Sequence, residues 1–195
     1  MPTRRQSRRS RILAALNGRS LVFLGMMGCG KSAIGKMTSR RLGLEFKDAD
    51  AEIEAAAGRS VAEIFADYGE VEFRRLEERV IERVLTEGPV LLALGGGAFM
   101  AEGTRKVIEK NSISVWLKAD LEILLKRVLK RPGKRPLLSK GNPREILKDL
   151  LEVREPVYAL ADLHVTSKGG TKAEMRDHVL AGLDQFLKEE KKHDQ

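Results

Sequence analysis

Residues 25–32 read GMMGCGKS, and the four residues before them, LVFL (21–24), are all apolar. Three glycines in eight positions give a packed core little to bury, but a backbone that must curl around an anion needs the room they leave. The stretch fits G-x-x-x-x-G-K-[ST], with Gly25, Gly30, Lys31 and Ser32 in the required places. Its context fits too: the apolar run reads as a buried strand, and residues 31–42 read as the helix that follows. In such a loop the backbone from Gly28, Cys29 and Gly30 through Ala33 cradles a polyphosphate, and the helix N-terminus adds partial positive charge. The motif assigns Lys31 to the β- and γ-phosphates and the Ser32 hydroxyl to magnesium. It specifies a nucleoside triphosphate with Mg2+ and leaves the acceptor open.

Outward from this loop the chain alternates strand and helix patterns. Strands are expected at SLVFLG (20–25), PVLLALG (89–95), ISVWL (113–117), LHVT (163–166) and, more weakly, LEFKDAD (44–50). In 70–86, Phe73, Leu76, Val80, Ile81, Val84 and Leu85 recur at helical spacing. Further helices fit 101–110, 120–130, 143–160 and 171–189, with Pro143 suited to a first turn. This order predicts an α/β fold, an open parallel sheet with helices on both faces. Ligands of such sheets bind beyond the carboxyl ends of the strands, where GMMGCGKS, DAD (48–50) and GGGA (95–98) all fall.

With 195 residues and 42% apolar composition, the chain suits one domain with a real core. The expected layout is a basic arm over 1–11, a single domain over 12–187 with a mobile lid at about 131–142, and a charged tail over 188–195. No apolar stretch approaches the ~20 residues that span a bilayer. The acid-free, Arg- and Ser-rich start reads as a disordered basic arm, with a transit peptide as the alternative. One cysteine allows no internal disulfide, which points to a reducing cytoplasm. Of the formal +8 charge, Arg4, Arg5, Arg8, Arg9 and Arg11 carry +5. A second basic cluster surrounds RPGKRPLL, and aromatics make up only 5%, so the charge argues for small anionic ligands rather than a nucleic-acid surface. The histidines lie at no metal-ligand spacing.

Asp48 and Asp50 close the second strand, where one acid can serve magnesium and the other a hydroxyl. The pair reads equally as a strand end with an N-capping aspartate. Arg74 and Glu77 are i, i+3 neighbours, a spacing that more often marks a surface ion pair. GGGA invites a close backbone approach to a ligand. Arg135, stiffened by Pro136 in the loop over 131–145, could meet transition-state charge or simply be solvated. Cys29 occupies a motif position that tolerates any residue.

Together GMMGCGKS, FKDAD, EFRRLE, GGGA, KRPLL and VREPVYALAD, in this order, resemble the shikimate kinases over about residues 19–186. The resemblance implies a P-loop NTPase-type three-layer fold with a five-stranded parallel sheet and a mobile lid. It implies ATP and Mg2+ at Lys31, Ser32 and Asp48, substrate hydroxyls and proton acceptance at Asp50, and a carboxylate clamp of Arg74 and Arg154 with Glu77 orienting Arg74. Gly96 and Gly97 would offer backbone to the substrate, Arg135 would be the lid arginine, and Arg131 an adenine-side contact. The chain departs from the family at Leu94, where Ser or Thr often precedes the triple glycine. The expected activity is phosphorylation of shikimate by a cytoplasmic monomer, with no nucleic-acid or membrane partner. A gluconate-type kinase on the same fold, or an inactive P-loop binding module whose arm contacts RNA or a partner, would share parts of the pattern.

Overall fold

The computed structural model describes residues 7–130 and 141–193. Five strands form one parallel sheet: β1 (Ser20–Leu24), β2 (Glu45–Asp48), β3 (Val90–Ala93), β4 (Ser112–Ala119) and β5 (Leu163–Ser167), in the order β2-β3-β1-β4-β5. The central strands β1 and β3 are buried along their whole length, which is why their sequences are unbroken apolar runs. The register aligns the strand ends. Asp48 pairs with Ala93, Ala93 with Phe23, and Phe23 with Val115. The loops after β1, β2 and β3 therefore leave the sheet at one level and converge on one cleft.

The helices are α1 (Arg8–Leu16), α2 (Lys31–Leu42), α3 (Ala49–Ala57), α4 (Val61–Thr86), α5 (Glu102–Asn111), α6 (Leu121–Leu129), α7 (Pro143–Tyr158) and α8 (Lys172–His193). Helix α2 lies so near the sheet that a Cβ on Gly35 would come 2.7 Å from the Phe46 ring. Helix α4 begins earlier than the expected 70, with Ser60 and Glu63 forming a reciprocal capping box. It bends at Gly69, whose φ of 76° and ψ of 178° suit glycine alone.

Two expectations at the ends need correction. Residues 8–11, read as part of a disordered arm, belong to α1. Ser7 caps it by accepting from Ser10 N, Ile12 and Leu16 are buried, and Arg11 forms a two-pronged bond to Asp184 on α8 (3.1 and 2.7 Å). Residues 188–193, read as tail, continue α8; Leu187 is buried, Lys188 pairs with Asp184, and Glu190 pairs with Arg19. Of the arginines that suggested a solvated arm, Arg8, Arg9 and Arg11 lie on a packed helix, Arg9 donating to Leu42 O and Arg11 paired with Asp184. Arg131, Arg135 and most of the expected lid lie outside the described residues.

Candidate active site

The loop after β1 wraps the N-terminus of α2, with Gly30 at the N-cap position. Lys31 Nζ donates to the carbonyls of Gly25 (2.7 Å) and Met26 (3.3 Å), which holds the ammonium over the loop. Ser32 lies in the first turn of α2 and donates to Asp48 Oδ2 at 2.8 Å. Asp48 occupies the N-cap position of α3, yet its side chain makes no capping bond. The two readings of the aspartate pair separate here: the Asp48 carboxylate faces the phosphate loop rather than its own helix. Hydroxyl and carboxylate together make a hard-oxygen pair of the kind that holds magnesium beside phosphates. Among the described residues no group of three or more His, Cys, Asp or Glu is placed to hold a metal ion.

Asp50, in the first turn of α3, opens onto the cleft but is crowded by protein on its other sides. That crowding, and Asp48 beside it, push its carboxyl above the usual carboxylate range, against the pull of Lys31 and Arg74. Glu77, from α4, is 1% exposed and accepts from Arg74 Nη1 at 2.6 Å. Burial pushes Glu77 up as well, and Arg74 counters it.

The triple glycine explains itself through its neighbours. A Cβ on Gly95 would lie 2.8 Å from Asp50 Oδ1 and 3.3 Å from Glu77 Oε1. One on Gly96 would lie 3.0 Å from Arg154 Nη1, and one on Gly97 would overlap the Arg74 guanidinium. None of the three has a positive φ. They are glycines because four charged side chains, Asp50 from α3, Arg74 and Glu77 from α4 and Arg154 from α7, lie directly on this backbone. Leu94 before them is 2% exposed, and its N–H bonds Phe23 O, so here it is a core residue.

Two participants escaped the sequence reading. Arg127, on α6, donates to the carbonyls of Gly28 (3.3 Å) and Cys29 (3.2 Å) in the phosphate loop and to Ser167 Oγ (3.2 Å) at the end of β5. In the sequence it is one member of a basic cluster. Tyr158, at the end of α7, donates to Gly96 O at 2.5 Å. Its only sequence signal is its spacing four residues after Arg154. Cys29 is buried, its Sγ 3.9 Å from Lys31 Nζ.

A phosphate loop with its lysine and serine, two aspartates beside it and a pair of arginines from α4 and α7 against the glycines after β3 define a P-loop phosphotransferase. Residues 27–184 match the shikimate kinase family. A shikimate kinase from Rhizobium leguminosarum bv. trifolii (strain WSM2304) is 48% identical over 183 residues, 94% of this chain and 93% of its own. One from Cereibacter sphaeroides (strain ATCC 17023) is 51% identical over 165 residues, 85% and 82% of the two chains. Among solved structures, shikimate kinase from Acinetobacter baumannii in complex with shikimate superposes with a TM-score of 0.79 at 33% identity, covering 87% of this chain and 94% of that one. The chain belongs to the shikimate kinase family.

Proposed function

We propose that this chain transfers the γ-phosphoryl group of ATP to the 3-hydroxyl of shikimate, giving shikimate 3-phosphate and ADP, a step in aromatic amino acid biosynthesis. The observation that carries the reading is the convergence of Asp50, Arg154 and Arg74 on successive glycines beside the phosphate loop. A small hydroxylated carboxylate needs such a set. Two planar guanidiniums match its acid end, and a carboxylate reads its hydroxyls. The A. baumannii relative, with the same fold, holds shikimate.

In this reading the loop from Gly28 to Ala33 binds the phosphates, and Lys31 moves from its carbonyl partners to the β- and γ-oxygens. Ser32 and Asp48 would hold magnesium, which when bound would supply charge neutralisation at the phosphates. Arg74, braced by Glu77, and Arg154 fix the shikimate carboxylate, with Gly96 and Gly97 against the ring. Asp50 accepts the proton of the attacking hydroxyl as the new O–P bond forms and the bond to ADP breaks. Its raised pKa makes it a better acceptor than an ordinary aspartate. Family resemblance assigns Arg135 to transition-state charge and Arg131 to the adenine side.

The reaction is assigned to the cytoplasm, in keeping with the one free cysteine. Among the described residues no helix is long and apolar enough to cross a membrane. A monomer is the proposed state, and light scattering of the purified chain tests it. Coupled ADP release with shikimate, gluconate, AMP and CMP as acceptors tests the activity: turnover with shikimate alone is expected. Turnover with gluconate, itself a hydroxylated carboxylate, would leave the guanidinium pair as a carboxylate site and overturn shikimate as the acceptor. Silence with all four, while ATP still binds, would favour a binding module.

A further inference from the structure

We propose that Tyr158 is a positioning residue for the acceptor: its hydroxyl fixes both the Gly96 peptide and the Arg154 guanidinium that lies on it. The inference rests on the reading of Arg154 as part of the carboxylate clamp and extends it. Three observations meet at this point. Tyr158 is 1% exposed, among the largest fully buried side chains in the chain, and its hydroxyl donates to Gly96 O. Gly96 in turn offers its bare Cα to Arg154 Nη1. Arg154 and Tyr158 lie four residues apart on α7 and so share one face of it.

The end of α7 is itself anchored. Asp162, just beyond it, accepts from Ser114 N (2.8 Å) and Ser114 Oγ (2.6 Å) on β4. The Trp116 ring lies 6.0 Å from the Tyr158 ring and the Val157 side chain packs on the core. A tyrosine held this firmly fixes what its hydroxyl touches. Burial pushes the phenol up to about 12, with the Arg154 charge and its hydrogen bond to the phenol oxygen pulling the other way, so it stays a donor throughout the working pH range. The carbonyl of Gly96 is thereby pinned, and with it the surface on which Arg154 lies. A phenylalanine would pack alike but leave that carbonyl without its donor.

The test uses the full chain and its only tryptophan, Trp116, as a binding reporter. Tyr158→Phe is compared with the parent for KM of shikimate, KM of ATP, and fluorescence titration with shikimate and with its uncharged methyl ester. The expected result is a rise of roughly three- to tenfold in KM and Kd for shikimate, the size of one lost hydrogen bond. KM for ATP should stay within about twofold, and affinity for the ester should not change. Combined with Arg154→Lys, the phenylalanine should add nothing to the loss the lysine causes.

Unchanged shikimate affinity in Tyr158→Phe, equal losses on acid and ester, or additivity with Arg154→Lys would each overturn the role while leaving the clamp standing. A parent that binds the ester as tightly as the acid would overturn the clamp, and this inference with it. Thermal melting accompanies each variant. If Tyr158→Phe melts below the assay temperature, the titrations with acid and ester are run below its melting point with the parent beside it, and the same outcomes decide.

Discussion

Gly97→Ala puts a methyl group where the Arg74 guanidinium lies. The new Cβ would overlap Nη2 and come within 3.0 Å of Cζ and Nη1. Carbon atoms settle at roughly 3.5–4.0 Å, so the guanidinium carbon must retreat by roughly 0.5–1 Å. It cannot retreat freely while keeping its partners, because Nη1 is tied to the buried Glu77 at 2.6 Å and Nη2 to Glu70 at 3.2 Å. A misplacement of about 1 Å in a positioning group costs on the order of 10²-fold. The expectation is a fall in kcat/KM for shikimate of ~10–10²-fold, about 1.4–2.8 kcal/mol of transition-state binding. KM for ATP should stay within about twofold. The fold should hold, because the displaced group is the end of a half-exposed side chain rather than a core atom. The assay is coupled ADP release with each substrate varied in turn, beside a thermal melt. Parent-like shikimate kinetics in a folded Gly97→Ala would refute the claim that Arg74 works from this position.

Other consequences follow from the same geometry. Asp50→Asn should lower kcat by ~10²–10⁴ with shikimate binding retained, and the parent's acid limb in kcat should lie above the usual aspartate range. Because the folded pKa of Asp50 is raised, its charge opposes folding above that pKa. The asparagine should therefore raise Tm at pH 7.5, by only ~1–2 °C since the carboxylate opens onto solvent, and the gain should fade as pH drops towards about 4. Asp184 behaves oppositely. Its bond to Arg11 holds it down to about 2, so its contribution is complete above the unfolded value near about 4 and is lost as pH falls through about 2. Asp184→Asn should lower Tm by ~2 °C at pH 7, less in high salt, and by progressively less as pH falls from about 4 through about 2. Arg127→Ala should raise KM for MgATP about tenfold and leave KM for shikimate within about twofold, because its bonds go to the phosphate loop. A shift confined to shikimate would contradict that placement.

What the sequence disclosed follows the range of each interaction. The phosphate loop is legible because its function is local: eight residues carry both the turn and the charges. The sheet is legible because β1 and β3, buried on both faces, must be apolar throughout. The first helix was hidden because its arginines outnumber its two buried anchors, Ile12 and Leu16. Only its packing against α8, with Asp184 and Lys188 one turn apart, shows why that charge is ordered. The aspartate pair had two equal readings until the register brought Asp48 beside Ser32, sixteen residues away. GGGA promised a close approach, but whose approach was a matter of topology: α3 delivers Asp50 to it, α4 Arg74 and Glu77, and α7 Arg154. Tyr158 and Arg127 stayed invisible because both act on backbone carbonyls, which leave no mark in the sequence of the residue they hold.

The most direct test of the central claim is product identification. The purified chain, with ATP, magnesium and shikimate, is followed by phosphorus NMR. The account predicts that the ATP γ-signal disappears as one phosphomonoester signal grows, coupled to the proton on shikimate C3, with ADP formed in equal amount. Inorganic phosphate as the sole product, or ATP left intact while the protein is folded, would contradict it.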